Sequence, residues 1–160
     1  MATGRARWNV PRQSTAMAAG LATLRYIQGH DICAHVQRMS MLFRARLGEI
    51  AQQYECIGDV RGRGLMLGIE IVDPASRDCF GRPLGDRELA RQVQAECFRR
   101  GLMIELGGRN GAVVRLLPPL IITSEQVEAV CNTIAKSFEA ALPGCRQAAR
   151  RQEQLEAVHV

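Results

Sequence analysis

The sequence predicts an α+β domain, with helices packed on one face of a small, largely antiparallel sheet. Three observations lead there. Apolar residues recur at helical spacing in four stretches and at strand spacing in others. The elements run helix, helix, strand, strand, helix, strand, strand, helix, so strands come in pairs rather than alternating with helices as a parallel nucleotide fold needs. Finally, Gly107-Gly108-Arg109-Asn110-Gly111 joins two of the strands through residues that tolerate positive φ, a hairpin signal.

Each element has its own warrant. Residues 1–13 have no period and read as a loose, disordered leader. Ser14 is placed to cap a helix over Thr15–Gln28, with Met17, Leu21, Leu24 and Ile27 on one face and Gly29 ending it. Asp31 is placed to cap a longer helix to Tyr54, whose stripe is Ile32, Val36, Met39, Phe43, Leu47, Ile50 and Tyr54. The glycines of Ile57–Gly64 suggest tight turns or close backbone approach. Leu65–Val72 reads as a strand with Leu65, Leu67, Ile69 and Ile71 on one face. Asp73–Gly85, with Pro74, Gly81, Pro83 and Gly85, reads as a loop.

Asp86 opens a helix to Arg100, with Leu89, Val93 and Cys97 inward and Gly101 closing it. Leu102–Leu106 and Ala112–Leu117 are strands on either side of the glycine-rich turn. Thr123 and Gln126 form a capping box for a last helix to Leu142, with Val127, Val130, Ile134 and Phe138 inward. Pro143-Gly144 stops it, and residues 143–160 form a polar tail. The organisation is a leader (1–13), two helices (14–54), a small domain (55–142) and the tail.

Bulk properties narrow the function classes. A chain of 160 residues with 47% hydrophobic and 23% charged content builds one ordinary core and is not globally disordered. It shows no transmembrane stretch and no signal-peptide pattern, which points to the cytoplasm and away from a membrane partner. Six scattered cysteines without a Cys-x-x-Cys pair read as reduced thiols, and the spacing of His30, His35 and His159 offers no metal site. The net charge of +5 owes three charges to Arg5, Arg7 and Arg12, and aromatics are 4%, so a nucleic-acid partner is not expected.

Arg115 stands out. It is a lone cation in the apolar run Val113-Val114-Arg115-Leu116-Leu117, closed by Pro118-Pro119 and followed by a helix. A charge there is costly unless it is paired or the site is made for an anion. A guanidinium grips a carboxylate with two bonds. The run reads either as a strand presenting a carboxylate-binding arginine to a pocket, or as an arginine that reaches water or pairs with a glutamate.

Other motifs read more plainly. Gly62-x-Gly64-x-x-x-Gly68 precedes a strand rather than a helix, so it is a structural turn and not a phosphate loop. Gly107–Gly111 reads as a hairpin turn ahead of an anion cradle. Glu70, on the face opposite Leu67 and Ile69, faces solvent or pairs with an arginine. His35 reads as a helix-surface residue. Lys136, the sole lysine, lies about 200° around its helix from Ile134 at roughly 100° per residue. It is a surface charge, not the desolvated amine of a Schiff base. No catalytic residue is assigned.

Four segments together resemble the C-terminal part of class III pyridoxal-phosphate aminotransferases. They are Ala16-Met17-Ala18-Ala19-Gly20-Leu21-Ala22, Val60–Glu70, Arg100-Gly101-Leu102 and Val114–Thr123. Within that class, Glu105–Gly111 is most similar to the diaminobutyrate–2-oxoglutarate transaminases. The likeness runs from about Ala16 to Leu142. It implies the small C-terminal domain of a fold type I enzyme and the helices leading into it, a homodimer with active sites between subunits, and amino-group transfer from an amine donor to a 2-oxo acid such as 2-oxoglutarate. It implies that Arg115 binds the substrate carboxylate.

The family's cofactor lysine, the acid beside the pyridine nitrogen and most phosphate contacts lie in a large domain that this sequence does not show. Pyridoxal phosphate is therefore the cofactor by resemblance, but it is not expected to be held by this chain alone. The first fifteen residues do not match the family, as though a truncated or frame-shifted frame supplied a new start. The expectation is a C-terminal fragment that lacks activity by itself and regains it only with a large-domain partner. The competing expectations are a non-enzymatic α+β module gripping a small carboxylate metabolite through Arg115, and a ligand-free remnant whose uncovered apolar faces make it self-associate.

Overall fold

The computed structural model describes residues 14–142 of the chain, so the expected leader and polar tail lie outside the described residues. The chain divides into two compact units, Met1–Cys33 and Ala34–Val160. The first holds helix α1 (Ser14–Gly29). Its anticipated stripe is open to solvent at Met17, Leu21 and Leu24, which are 50–68% exposed, while Ile27 is half-buried. Tyr26 stacks on His30 at 3.9 Å between ring centroids. Asp31 does not take the extended backbone of a capping residue: its φ of 47° lies in the left-handed region, as the bend into the next helix demands.

The second unit begins inside helix α2 (Ile32–Gln53) and continues through β1 (Ile57–Arg63), β2 (Met66–Arg77), β3 (Pro83–Gly85), α3 (Arg87–Arg99), β4 (Glu105–Gly107), β5 (Val113–Leu116) and α4 (Ser124–Ala141). The sheet order is β1-β2-β5-β4, with β3 pairing the far end of β2, and every pairing is antiparallel. This is the expected α+β architecture.

Alternation decides which face is covered. Leu67, Ile69 and Ile71 of β2 and Val114 and Leu116 of β5 are at most 4% exposed and meet the helices. There they pack with Phe43 and Leu47 of α2, Val93 and Cys97 of α3, and Val127, Ile134 and Phe138 of α4 in one continuous core. Tyr54 stacks on Phe138 at 5.4 Å. The other face carries the polar members of the same strands. Glu70 forms an ion pair with Arg61, which also donates to Asp59 at 2.9 Å. Those hydrogen bonds, Glu70 first, hold the guanidinium of Arg61 above its ordinary pKa.

Three expectations change. Ile57–Gly64 holds a full edge strand as well as its turn; only one side of that strand meets the core, so its apolar alternation is weak. Gly62, at φ 152°, lies so close to β2 that a Cβ would stand 2.0 Å from the carbonyl oxygen of Met66. The segment expected as a loop at Asp73–Gly85 is mostly a hairpin, with Val72 opposite Gly85 and Arg77 opposite Pro83. Its side chains are largely exposed, so burial leaves no pattern, and Pro83 sits on the edge strand β3. Residues 102–104 are not paired in the sheet, and the strand there shrinks to Glu105–Gly107.

The caps of α3 and α4 follow the sequence. The Leu89 N–H donates to Asp86 Oδ1 at 2.9 Å. The Thr123–Gln126 capping box is complete, with the Gln126 N–H donating to Thr123 Oγ1 and the Thr123 N–H to Gln126 Oε1. Thr123→Ala is expected to cost about 1 kcal/mol, read as a lower denaturation midpoint with an unchanged denaturant slope.

Burial pushes the thiol of Cys131 up to about 12 and raises that of Cys97. Both states are protonated below the ordinary value of 9.0; above it only the unfolded chain ionises. Stability is therefore expected to fall as pH rises from about 9 towards about 12. Denaturant melts at successive alkaline pH values check this, and the fall should be shallower in Cys131→Ala.

Candidate carboxylate site

Arg115 owes its position to strand alternation. Val114 and Leu116 go inward, so Arg115 goes to the opposite face, where its side chain is 40% exposed. In register it lies between Gly68 of β2 and Glu105 of β4. Gly68 offers no side chain to cover the guanidinium. Gly107, diagonally across on β4, is a second opening: a Cβ there would stand 2.6 Å from Arg115 Cδ. The arginine stem thus lies back across β4, over a residue with nothing to displace it.

Arg115 Nη1 is 3.3 Å from Glu105 Oε2, and the glutamate side chain is 63% exposed. Both alternatives raised by the sequence have a structural counterpart: the arginine pairs with a glutamate, and it lines a pocket. That pocket is a cleft of about 810 Å³ beside the end of α3, the approach to β4 and the start of α4. Its walls are mainly apolar, including Phe43, Leu102, Ile104, Leu116, Pro118 and Ile122. Arg115 and Glu105 are the charged residues among its lining.

The walls are fastened by hydrogen bonds. Gln94 Nε2 donates to the Ile104 carbonyl at 2.9 Å, fixing the chain before β4 to α3. Half-buried His35 places Nε2 2.8 Å from the Ile122 carbonyl, tying α2 to the segment before α4. His35 is therefore a structural tie rather than a free surface residue. The turn at Gly108–Gly111 closes as a short 3-10 segment with positive φ at Gly108, Asn110 and Gly111, as a hairpin connection requires.

Lys136 is exposed on α4 and is not among the residues lining the cleft. The described residues therefore bring no desolvated amine to Arg115. Among them, no group of His, Cys, Asp and Glu is arranged to hold a metal, and no helix is long and apolar enough to cross a membrane. Cys33, Cys79, Cys97 and Cys131 are free thiols.

Sequence reasoning named Arg115 but overlooked Glu105, Gly68 and Gly107. The signal for Glu105 lay in the hairpin. Folding the strands back about the glycine-rich turn sets Gly107 opposite Val113 and Glu105 opposite Arg115.

The chain matches the family Aminotransferase class-III over residues 13–138. It is 45% identical over 125 residues to a diaminobutyrate–2-oxoglutarate aminotransferase of Rhizobium meliloti (strain 1021), covering 78% of this chain and 27% of that protein. To the enzyme of the same name from Haemophilus influenzae (strain ATCC 51907 / DSM 11121 / KW20 / Rd) it is 39% identical over 128 residues, with 79% and 28% covered. The fold is shared with a Bacillus anthracis aminotransferase, at a TM-score of 0.69 and 27% identity over 86% of this chain and 32% of that one. The chain thus spans just over a quarter of the length of the curated relatives it matches. By sequence and by fold, it belongs to the class III aminotransferases.

Proposed function

We propose that this chain supplies the carboxylate-binding part of an aminotransferase of the diaminobutyrate–2-oxoglutarate type, in which Arg115 holds the carboxylate of the amino acid donor or of the 2-oxo acid acceptor. The observation that carries this reading is the place of Arg115: a half-exposed guanidinium at an apolar cleft, with a glycine at position 107, where a side chain would crowd it. A fork of donors on such a wall suits a carboxylate whose carbon chain rests on apolar surface. The relatives named for diaminobutyrate and 2-oxoglutarate support that substrate pair.

The family implies pyridoxal phosphate, which when bound supplies the electron sink for moving an amino group. Holding it requires a lysine in a desolvated pocket. Lys136 on the open side of α4 does not fit, so these residues serve the substrate end of the site and not the cofactor end. Alone they do not transaminate; a large-domain partner completes the site, and a homodimer is the assembly the family suggests. The free thiols suit a reducing, cytoplasmic setting. A second reading is a module that grips a small carboxylate metabolite without chemistry. It is favoured by the cleft forming within one compact unit with both of its charged residues in place.

The test mixes the purified chain with pyridoxal phosphate, diaminobutyrate and 2-oxoglutarate and measures glutamate. None is expected. In NMR titrations, Arg115→Lys should weaken 2-oxoglutarate binding about tenfold, the worth of one lost charge-assisted bond, while Lys136→Ala binds as the wild type. Glutamate formed by the chain alone, or undiminished binding by Arg115→Lys, overturns the proposal.

A further inference from the structure

The margin of the second unit where the β1–β2 turn meets α2 carries positive charge without a balancing acid. We infer that this margin is a peripheral docking surface for an anionic lipid membrane. Arg38, Arg44 and Arg63 meet the headgroups, and Met41 and Met66 enter the boundary beneath them. The surface is separate from the cleft at Arg115 and does not rest on the carboxylate-binding reading.

The arrangement is built from local contacts. On α2, Arg38, Met41 and Arg44 stand three residues apart, so each neighbours the next along the helix surface. All three are exposed, Met41 by 64%. Two contacts bring the turn against this helix. Arg44 Nη2 donates to the Gly62 carbonyl, and a Cβ at Gly64 would stand 3.1 Å from Val36 Cγ1. Arg63 and Met66 are cross-strand partners that flank the turn, and both are exposed.

Among the described residues, none of the three arginines forms an ion pair. The acids on the same elements are engaged elsewhere. Glu49 of α2 holds Arg46, Asp59 of β1 and Glu70 of β2 hold Arg61, and Asp73 of β2 accepts from Ala75 and Ser76. The three guanidinium charges are therefore left for an outside anion.

The chemistry favours lipid over nucleic acid. Arginine forks suit phosphate, and the cytoplasmic leaflet of a cell membrane is negative. Arginine stems lie along apolar surface with the charge at headgroup level, and methionine adapts to an irregular apolar boundary. A single-stranded nucleic acid needs aromatic platforms. The exposed aromatics of the described chain, Tyr26, Phe80 and Phe98, lie on other segments. The contact is peripheral and needs no spanning helix, and the described residues hold none.

The test is co-sedimentation of the purified full chain with vesicles of equal parts phosphatidylcholine and phosphatidylserine, and with vesicles of phosphatidylcholine alone. Circular dichroism confirms that each variant is folded. The wild type should bind the mixed vesicles and not the neutral ones. Binding should fade as salt rises from about 0.1 M to about 1 M, which shortens the screening length from about 10 Å to about 3 Å. The doubly substituted Arg38→Gln, Arg63→Gln chain should bind about thirtyfold more weakly, the effect of two charges beside an anionic leaflet. Arg44 is left in place because it also ties the turn to α2. The Arg87→Gln, Arg109→Gln chain loses the same charge beside the Gly108–Gly111 turn and should bind as the wild type does.

Equal loss in the two double variants would mean that the net charge of +5 draws the chain, and the inference falls. It also falls if Met103→Ser, at the 82% exposed rim of the cleft, abolishes binding that the Arg38→Gln, Arg63→Gln chain keeps. Binding of single-stranded RNA without binding of the mixed vesicles would overturn the lipid reading and give the surface to nucleic acid.

Discussion

The register of β5 between β2 and β4 is the constraint on which the candidate site depends. Val113–Arg115 are paired on both sides and Leu116 with β2 alone, and the period of two sends Val114 and Leu116 into the core and Arg115 out of it. A slip of one residue would drive the guanidinium among Phe138, Val93 and their neighbours and bring two aliphatic side chains to the surface. Burying an unpaired charge costs several kcal/mol, so the apolar residues on either side of Arg115 hold the register as firmly as the hydrogen bonds do.

The ion pair at the cleft has a different character from the core. Pairs as exposed as Arg115–Glu105 are worth about 0–1 kcal/mol, so folding does not rest on it. Weakness is useful in a ligand site, since a pair that contributes little to the folded state is easily opened. The walls are held separately, by the Gln94 bond to Ile104, the His35 bond to Ile122 and the Thr123–Gln126 capping box. Rigid walls around a lightly paired charge keep down the cost of rearrangement on binding.

The elements legible in the sequence were those with a buried face. The stripe from Val36 to Tyr54, the inward face of α3 and the capped last helix are read from spacing because burial imposes the spacing. The illegible parts lack that imprint. The β2–β3 hairpin is mostly solvated and β1 meets the core on one side; α1 was legible as a helix from its period, although its stripe is open to solvent. At the site, Arg115 was conspicuous as a charge in an apolar run. Glu105 was hidden because its meaning depends on a partner ten positions away across a turn. Gly68 and Gly107 were hidden because their contribution is the absence of a side chain.

That absence separates two properties that mutation usually changes together. At Gly107 any added side chain would move the guanidinium through its stem, while leaving every charge, the β4–β5 pairing and the buried face as they are. The position is a steric dial on where the positive charge points. Related chains bearing different residues there could aim the same arginine at longer or shorter substrates, so that reach would diverge within the family while the charged groups stayed fixed.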